Sequence, residues 1–357
     1  MNKIFIGGEF HYSPFILLRK KCFDIEEYLK KKYPNKYYFF TSGGLSSLDI
    51  ILKELNIING KKVLLPSYLC PSIIIPFKKN GIKYSFYKIN KKLEIETDDL
   101  LQKSDNSVAA ILLINYFGFR CNIKESLLTL LRNKNIIIIE DAVQSFFSDF
   151  KPIGDYVFNS FRKFSPVNGS VIIANKKINI PLKNSVNQYQ IYKTLGLWLK
   201  WLKEVIDIHF DKIYLSLFRF ADKKYNSVSP GKFTLFNKHL LTRYNFKHIM
   251  YQRKYNYEFL LSEFKETAIY KYLPMGIVPL GFPILLKNRD EIRAKLLNKN
   301  IFCPIHWNLS SDIDKVEFSD SWNLSKQILT IPISENVTIT ELKYFQNTWK
   351  QINNSIK

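Results

Sequence analysis

The chain has 357 residues, of which 46% are hydrophobic and 24% are charged, so it can bury a large core and is not disordered throughout. Only 13 residues are glycine, which excludes a collagen-like or linker-rich chain. The formal net charge is +22, but nine of the 53 basic residues are arginine. Because arginine is the better-shaped group for binding phosphates and bases, no nucleic-acid partner is predicted. We attribute the charge to AT-rich codon usage, with a phosphate-bearing substrate or an anionic membrane surface as alternatives.

Several classes of protein are excluded by patterns that the sequence lacks. No run of about 18 apolar residues occurs, so no transmembrane segment is predicted. The amino terminus does not resemble a signal peptide, and a cytoplasmic location is therefore expected. The four cysteines and five histidines form no CxxC or HExxH pattern, so no metal site is predicted.

Short apolar runs alternate with helical patterns between Phe39 and Asn175. The predicted strands are Val63–Leu65, Tyr84–Ile89, Ala109–Ile114, Ile136–Ile139, Tyr156–Ser160 and Val171–Ala174. The predicted helices are Leu45–Leu55, Pro71–Lys79 and Ile123–Asn133. Uninterrupted apolar strands are typical of a parallel sheet that is covered on both faces. The pattern predicts an α/β fold with a mostly parallel sheet between helices, in which ligands bind at the carboxyl ends of the strands.

The second half of the chain changes character. Residues 184–241 form a long, aromatic-rich helical pattern that is apolar on almost all sides. Packing in the core or in a subunit interface is the expected role, and a helix lying on a membrane surface is the alternative. From Phe246 a helix, a strand, a helix, a strand and a final helix follow, which indicates a small α+β domain. We predict a large domain over residues 1–245 and a small one over residues 246–357.

Four segments contain residues that can take part in catalysis or ligand binding. The first is FFTSGGLSSLDIIL, Phe39–Leu52. Its small residues open a helix, so free backbone N–H groups and the Ser46 hydroxyl can hold a phosphate at the positive helix end. An ordinary helix cap would have the same composition.

The second segment is LLPSYLCPSIIIPF, Leu64–Phe77. A strand ends and a helix begins within it, so Tyr68 and Cys70 project from the corner between them. A side chain at such a corner can cover a flat ring, and a plain connecting loop is the alternative.

The third segment is NIIIIEDAVQS, Asn135–Ser145, in which two carboxylates follow four isoleucines. Burial of Asp141 at this strand end costs free energy unless a positive group faces it. A protonated ring nitrogen would be such a group, and Gln144 could donate to a neighbouring ring oxygen. A helix cap is the alternative.

The fourth segment is GDYVFNSFRKFSPVNGSVIIAN, Gly154–Asn175. A lysine beside a serine at a strand end can form a Schiff base with an aldehyde while the hydroxyl binds phosphate. Lys163 and Ser160 have this arrangement. Arg162 can keep the neighbouring amine partly deprotonated, because a like charge disfavours the charged form.

The order of these four segments resembles that of the pyridoxal-phosphate (PLP) enzymes of fold type I, and more narrowly the DegT/DnrJ/EryC1/StrS family of sugar aminotransferases. The family signature reads approximately SGTxAL, PSYTF, EDAAQ and GD…SFxxxK…GG. The matching residues are Ser42–Leu48, Pro66–Cys70, Glu140–Gln144, Gly154-Asp155 and Ser160-Phe161. The resemblance covers nearly the whole chain except a weakly matched stretch at 178–240.

The resemblance implies PLP as cofactor and assigns residues to its ring. Lys163 would bind the cofactor covalently and act as catalytic residue. Asp141 would pair with the pyridine nitrogen, and Gln144 would contact the phenolic oxygen of the ring. Cys70 falls where the family usually has an aromatic side chain over the cofactor.

The resemblance also implies how the phosphate and the substrate are held. Ser160, Ser46 and the backbone amide of Leu45 would bind the phosphate. His306 and Trp307 are candidates for facing the substrate, with a core position at a strand end as the alternative.

The implied activity is transfer of an amino group to a nucleotide-linked keto sugar, with glutamate as the donor. The product would feed surface-polysaccharide or lipopolysaccharide synthesis. Because the active site of this fold normally lies between two subunits, a homodimer is implied.

The sequence departs from the family pattern at three points. Lys163 follows Ser160 by three residues instead of five, Asn168–Ser170 replaces the usual EGG, and the first motif has one extra residue. These departures motivate an alternative hypothesis, a non-catalytic or regulatory relative that binds a sugar nucleotide or a partner. A peripheral membrane protein recruited by the helix around Trp198–Trp201 is a third possibility.

Overall fold

The computed structural model describes residues 4–10, 12–57, 60–182, 188–206, 211–225 and 231–354. The strands in this part of the chain are β1 (Ile6–Gly7), β2 (Tyr37–Thr41), β3 (Lys62–Pro66), β4 (Lys83–Tyr87), β5 (Val108–Ile114), β6 (Ile137–Asp141), β7 (Tyr156–Phe158), β8 (Ser170–Ala174), β9 (Phe282–Leu285), β10 (Ile301–Phe302) and β11 (Ile328–Ile331). The helices are α1 (Ile25–Lys32), α2 (Gly44–Leu55), α3 (Ile74–Lys79), α4 (Thr97–Lys103), α5 (Glu125–Asn133), α6 (Gln188–Ile206), α7 (Asp211–Tyr225), α8 (Leu235–Leu241), α9 (Phe246–Phe264), α10 (Arg289–Leu297), α11 (Ser319–Gln327) and α12 (Ile339–Asn354).

A seven-stranded sheet organises the first half of the chain, with the strand order β2-β8-β7-β6-β5-β3-β4. The pairs from β7 through β6, β5 and β3 to β4 are parallel, whereas β8 runs antiparallel to both β2 and β7. The predicted α/β fold with a mostly parallel sheet is therefore confirmed.

Both faces of this sheet are buried, which explains its uninterrupted apolar strands. Along β8, Val171 and Ile173 enter one hydrophobic core, while Ile172 and Ala174 enter the core on the opposite face. Successive side chains of a strand point to opposite faces, so a strand covered on both sides has no polar position.

Each predicted strand and helix between Val63 and Ala174 matches an element of the sheet or a helix against it. Four elements of this half were not predicted: β1, β2, α1 and α4. β2 has the sequence YYFFT, and Tyr37 at its start is exposed while Thr41 at its end is buried. Neither continuous burial nor clean alternation marks it as a strand.

The helical pattern predicted over residues 184–241 is confirmed in the described residues, but it is divided into separate helices. The structure has three helices there, α6, α7 and α8, and residues 184–187, 207–210 and 226–230 lie outside the described residues. α6 and α7 form a closely packed hairpin. A β-carbon added at Gly196 would lie 2.6 Å from the Phe218 ring, so a glycine permits the close approach of the two helices.

The C-terminal part contains the antiparallel pair β9–β11 and the parallel pair β1–β10. The second strand predicted after Phe246 corresponds to β10, which ends at Phe302, shortly before Pro304, which lacks a backbone donor for a ladder. Since β1 pairs with β10, the amino terminus packs against the C-terminal part; the boundary at residue 245 stays a prediction. Among the described residues no helix meets the length and hydropathy needed to cross a membrane.

Gly118, four residues after the end of β5, packs against Val278 and Pro279 of the C-terminal part. It has φ +100°, and an added β-carbon would lie 2.3 Å from the carbonyl oxygen of Val278. Gly81 has φ +63° and open space around it. We expect Gly118→Ala to lower the free energy of unfolding by more than about 2 kcal/mol, because backbone strain and a clash add.

Gly81→Ala is the matched control, since it has the strained φ without the clash; we expect a loss of about 1 kcal/mol. Urea denaturation of both variants measures the difference. Equal losses in the two variants would show that the close approach to Val278 does not matter.

Candidate active site

A cleft opens at the carboxyl ends of the central strands, beside the start of α2. Its empty volume is about 570 Å³, part of which is open to solvent. The residues that line it come from distant parts of the sequence: Gly44, Leu45, Leu48, Cys70, Ser72, Ile73, Ile114, Asp141, Val143, Gln144, Phe158, Ser160, Arg162, Lys163, Tyr225 and Trp307. All four segments singled out in the sequence thus contribute to one site.

Strand register places the carboxylate of Asp141 in this cleft. Asp141 ends β6, opposite Ile114 of β5 and Phe158 of β7. One of its carboxylate oxygens, Oδ1, accepts a hydrogen bond from the backbone N–H of Val143 at 2.8 Å. Burial raises the pKa of Asp141 to about 7, more than the Val143 hydrogen bond and the Lys163 charge lower it. The site therefore favours a cationic partner for this carboxylate.

The amine of Lys163 lines the same cleft. Lys163 ends a short 3₁₀ turn, Phe161–Lys163, directly after β7. Burial and, next in size, the positive charge of Arg162 lower the pKa of Lys163. Both causes favour the neutral amine, which is the nucleophilic form.

Arg253 of α9 supports the turn that carries this lysine. Its guanidinium donates to the Leu280 carbonyl at 2.7 Å and to the Lys163 carbonyl at 3.5 Å. It also lies 5.0 Å from the centre of the Phe164 ring. The backbone at Lys163 is therefore tied to the element that begins the C-terminal part.

Glu140, the neighbour of Asp141, has a structural role. Its carboxylate accepts hydrogen bonds from the Asn115 side chain at 2.8 Å and from the backbone N–H groups of Ile153 and Gly154 at 2.7 and 2.9 Å. These bonds join the ends of β5 and β6 to the loop before β7. They hold the strand end from which Asp141 projects.

Gln144 is buried and has a free donor. Its side-chain oxygen accepts from the backbone N–H of Phe117 at 2.5 Å, while its amide nitrogen has no partner. A buried donor without an acceptor costs free energy, so a ligand with an oxygen at this position would be stabilised.

A second lobe of the cleft adjoins the start of α2. It is lined by Ser42, Gly43, Leu45, Ser46, Ser160, Arg162, Asn168, Gly169, Tyr189 and Tyr225. Leu45 and Ser160 line both lobes, whereas Ser46 lines only this one and accepts a hydrogen bond from the Gly231 N–H at 3.2 Å. The three residues assigned to phosphate are thus brought together here.

Cys70 lines the main lobe, where its sulfur lies 3.0 Å from the Ser72 hydroxyl. The thiol therefore occupies the wall that the family resemblance assigns to an aromatic ring. Its role toward a cofactor stays a prediction.

The two candidates for substrate contact differ in position. Trp307 lines the cleft, but His306 is not among its lining residues. The Nδ1 atom of His306 lies 2.9 Å from the Thr330 hydroxyl, and burial together with the Lys163 charge lowers the pKa of His306 to about 3. The lowered pKa keeps the His306 ring neutral, and contact with substrate stays a prediction for both residues.

Sequence reasoning missed Tyr189, Tyr225 and Ser42 as parts of the cleft. Tyr189 and Tyr225 come from α6 and α7, a stretch in which no motif is recognisable. Ser42 lies two residues before α2, and its hydroxyl is buried without a hydrogen-bond partner. The sequence signal for it, a serine in the first motif, was assigned to Ser46.

The residues present fit pyridoxal phosphate. A buried carboxylate, a partly buried amine and a free amide donor line the main lobe. The second lobe offers the start of α2, where Gly43 provides no side-chain cap, and the unpaired Ser42 hydroxyl. A ring with a protonated nitrogen, an aldehyde, a phenolic oxygen and a phosphate would pair with each of these groups.

The strand order and this cleft define the class of protein: an α/β protein with the fold of PLP-dependent transferases of fold type I. Spr1654 of Streptococcus pneumoniae, solved in a PLP form, has a TM-score of 0.71 at 12% identity, covering 98% of this chain and 94% of that one. PseC of Helicobacter pylori, an aminotransferase of pseudoaminic acid biosynthesis, has a TM-score of 0.69 at 13% identity, covering 94% of this chain and 92% of that one. At these identities the likeness shows the shared fold.

Residues 13–165 match the DegT/DnrJ/EryC1/StrS aminotransferase family. This match over less than half of the chain agrees with the resemblance found in the sequence. A curated relative, GDP-perosamine synthase of Escherichia coli O157:H7, is 28% identical over 133 residues. The alignment spans 36% of this chain and 36% of that synthase.

The raised pKa of Asp141 leads to a test of the site in the cofactor-free protein. Because the folded-state pKa of about 7 exceeds the ordinary 3.8, folding takes up a proton between these values, and stability falls as pH rises from about 4 to 7. Asp141→Asn removes this titration. We expect its melting temperature to exceed that of the wild type at pH 8, with a smaller difference at pH 5.

Calorimetry at the two pH values measures the effect. Asp105→Asn is the control, because hydrogen bonds from Ser107 lower the pKa of that surface carboxylate and keep it ionised from pH 5 to 8. A pH-independent difference between wild type and Asp141→Asn would refute the assigned burial of charge.

Proposed function

We propose that this protein is a PLP-dependent aminotransferase that converts a nucleotide-linked keto sugar into an amino sugar. The observation that carries the proposal is the presence of Lys163 and Asp141 in one cleft, with a free amide donor and a second lobe at the start of α2 beside them. The family match over residues 13–165 supports the reaction class.

The bound cofactor would supply an electrophilic carbonyl and a ring that accepts electrons from the carbon being deprotonated. Asp141 would hold a proton on the ring nitrogen, since its buried carboxylate is stabilised by a facing positive charge. Gln144 would donate its free amide N–H to the phenolic oxygen and so orient the ring.

Lys163 has two tasks in this proposal. Its neutral amine would hold the cofactor covalently and would be displaced by the amine of the donor. Once released, the same amine would take a proton from the α-carbon of the donor and return one to the former carbonyl carbon of the cofactor, as general base and acid. A lowered pKa suits both tasks, because an amine that stays protonated can neither attack a carbonyl nor accept a proton.

The walls of the cleft would exclude water and admit a large substrate. Trp307 and Tyr225 flank the opening with flat rings, and the excess of lysine attracts an anionic ligand. The name of the curated relative, GDP-perosamine synthase, supports a nucleotide-linked sugar as substrate. Glutamate as donor, a homodimer, a cytoplasmic location and a role in surface-polysaccharide or lipopolysaccharide synthesis follow from the resemblance and complete the proposal.

Replacement of the lysine tests the reaction. Wild-type protein mixed with PLP is expected to show a visible absorption band of the covalently bound cofactor, and Lys163→Ala is expected to lack it. With glutamate and a panel of nucleotide-linked keto sugars, product formation measured by mass spectrometry should fall at least about a thousandfold in the variant.

Lys151→Ala, a change of an exposed lysine, serves as the control and should behave as wild type. A wild-type spectrum indistinguishable from that of Lys163→Ala would reject the enzyme and favour the non-catalytic relative. A bound-cofactor band without any amino-sugar product would reject the substrate class but not the cofactor.

A further inference from the structure

Arg162 lines both lobes of the cleft, and among the described residues it makes no ion pair, although its charge acts on Asp222 from a distance. Its Nη1 donates to the Tyr189 hydroxyl at 2.9 Å, and its guanidinium carbon lies 4.0 Å from the centre of the Tyr225 ring. Among the residues that the structure describes, no carboxylate oxygen lies within 4.0 Å of Arg162, unlike Arg253 and Arg289. Both contacts of the guanidinium are therefore with neutral groups.

The second lobe contains two further hydrogen-bond donors, the Ser42 hydroxyl and the first N–H groups of α2. Ser42 is 8% exposed, lines this lobe, and its hydroxyl has no hydrogen-bond partner. The twelve-residue helix α2 begins beside it without a side-chain cap. Free N–H groups of the first helical turn carry partial positive charge. A cation, a hydroxyl donor and a helix amino terminus thus line the same small space.

This combination fits a phosphate group better than other anions. Guanidinium groups and helix amino termini both bind phosphate oxygens by charge-assisted hydrogen bonds. A dianion can accept from all three donors at once, whereas a single neutral oxygen would leave the guanidinium charge unbalanced.

We propose that Arg162 is the residue that neutralises the phosphate of the bound cofactor, together with Ser42 and the start of α2. The inference rests on the proposed function. Lys163 follows Arg162 directly in the sequence, so one short turn would present the amine to the aldehyde end and the guanidinium to the phosphate end.

The α6–α7 hairpin positions this arginine. Tyr189 belongs to α6 and Tyr225 to α7, and their side chains hold the guanidinium from two sides. Because the contacts are with a hydroxyl and a ring face, they orient the cation without cancelling its charge. The hairpin would therefore act as a positioning element for the phosphate lobe of its own chain.

The experiment compares two aldehydes that differ only in the phosphate. PLP and pyridoxal are titrated into wild type, Arg162→Gln, Arg162→Lys and the surface control Arg120→Gln, and absorbance measures each affinity. Loss of the Arg162 charge also raises the pKa of Lys163, an effect common to both aldehydes, so we expect Arg162→Gln to weaken PLP binding about 10- to 100-fold more than pyridoxal binding. Arg162→Lys should recover part of the loss, and Arg120→Gln should match the wild type.

Equal weakening for PLP and pyridoxal would overturn the inference, because Arg162 would then act on Lys163 or on the fold. Unchanged PLP binding in Arg162→Gln would overturn it as well. The melting temperature of each cofactor-free variant shows whether it is folded, and the pyridoxal titration measures the effect of the substitution on Lys163.

Inorganic phosphate provides an arm that does not depend on the cofactor chemistry. It should raise the melting temperature of the wild type and of Lys163→Ala but not that of Arg162→Gln. If the wild type shows no band with PLP, the proposed function fails while this arm still decides on the phosphate site. Absence of phosphate stabilisation in the wild type would count against Arg162. Protection by a nucleoside diphosphate but not by phosphate would assign the cation to the substrate and overturn the proposal.

Discussion

The chemistry of this protein depends on the burial of a carboxylate and an amine in one cleft. Burial alone disfavours the charged forms of both groups, raising the pKa of Asp141 and lowering that of Lys163. A cationic ring nitrogen would stabilise the ionised form of the Asp141 carboxylate, and the neutral form of the Lys163 amine is the one that attacks a carbonyl. A cofactor that carries both groups would therefore match both side chains.

The parallel sheet makes this burial possible. Asp141 can be buried because β6 lies between β5 and β7, and Glu140 ties the ends of these strands through three hydrogen bonds. Lys163 reaches the same edge because β7 ends only a few residues earlier, at Phe158. Strand register therefore brings the backbones of Asp141 and Lys163 to the same edge of the sheet.

The sequence predicted this central part well for a physical reason. Strands covered on both faces are uninterruptedly apolar, and the polar residues that follow them stand at the ligand edge, so Asp141, Gln144 and Lys163 were visible beside their strands. The same reasoning missed β2, in which burial is mixed. After Asn184 it predicted helical structure but not where each helix begins and ends, because packing between the helices determines their ends. His306 shows a further limit of sequence-based prediction. It does not line the cleft, and its position depends on where β10 ends, which periodicity does not define.

The α6–α7 hairpin shows why part of the site was beyond prediction. Tyr189 and Tyr225 are separated by 36 positions and meet only because the two helices pack closely, with Gly196 facing Phe218. No spacing rule links two tyrosines on different helices to an arginine on a distant turn. Such a wall can change by repacking one helix pair while Lys163 and Asp141 keep their places on the sheet. Asp141 and Lys163 thus depend on the sheet, whereas the hairpin contributes only Tyr189 and Tyr225 to the wall of the second lobe.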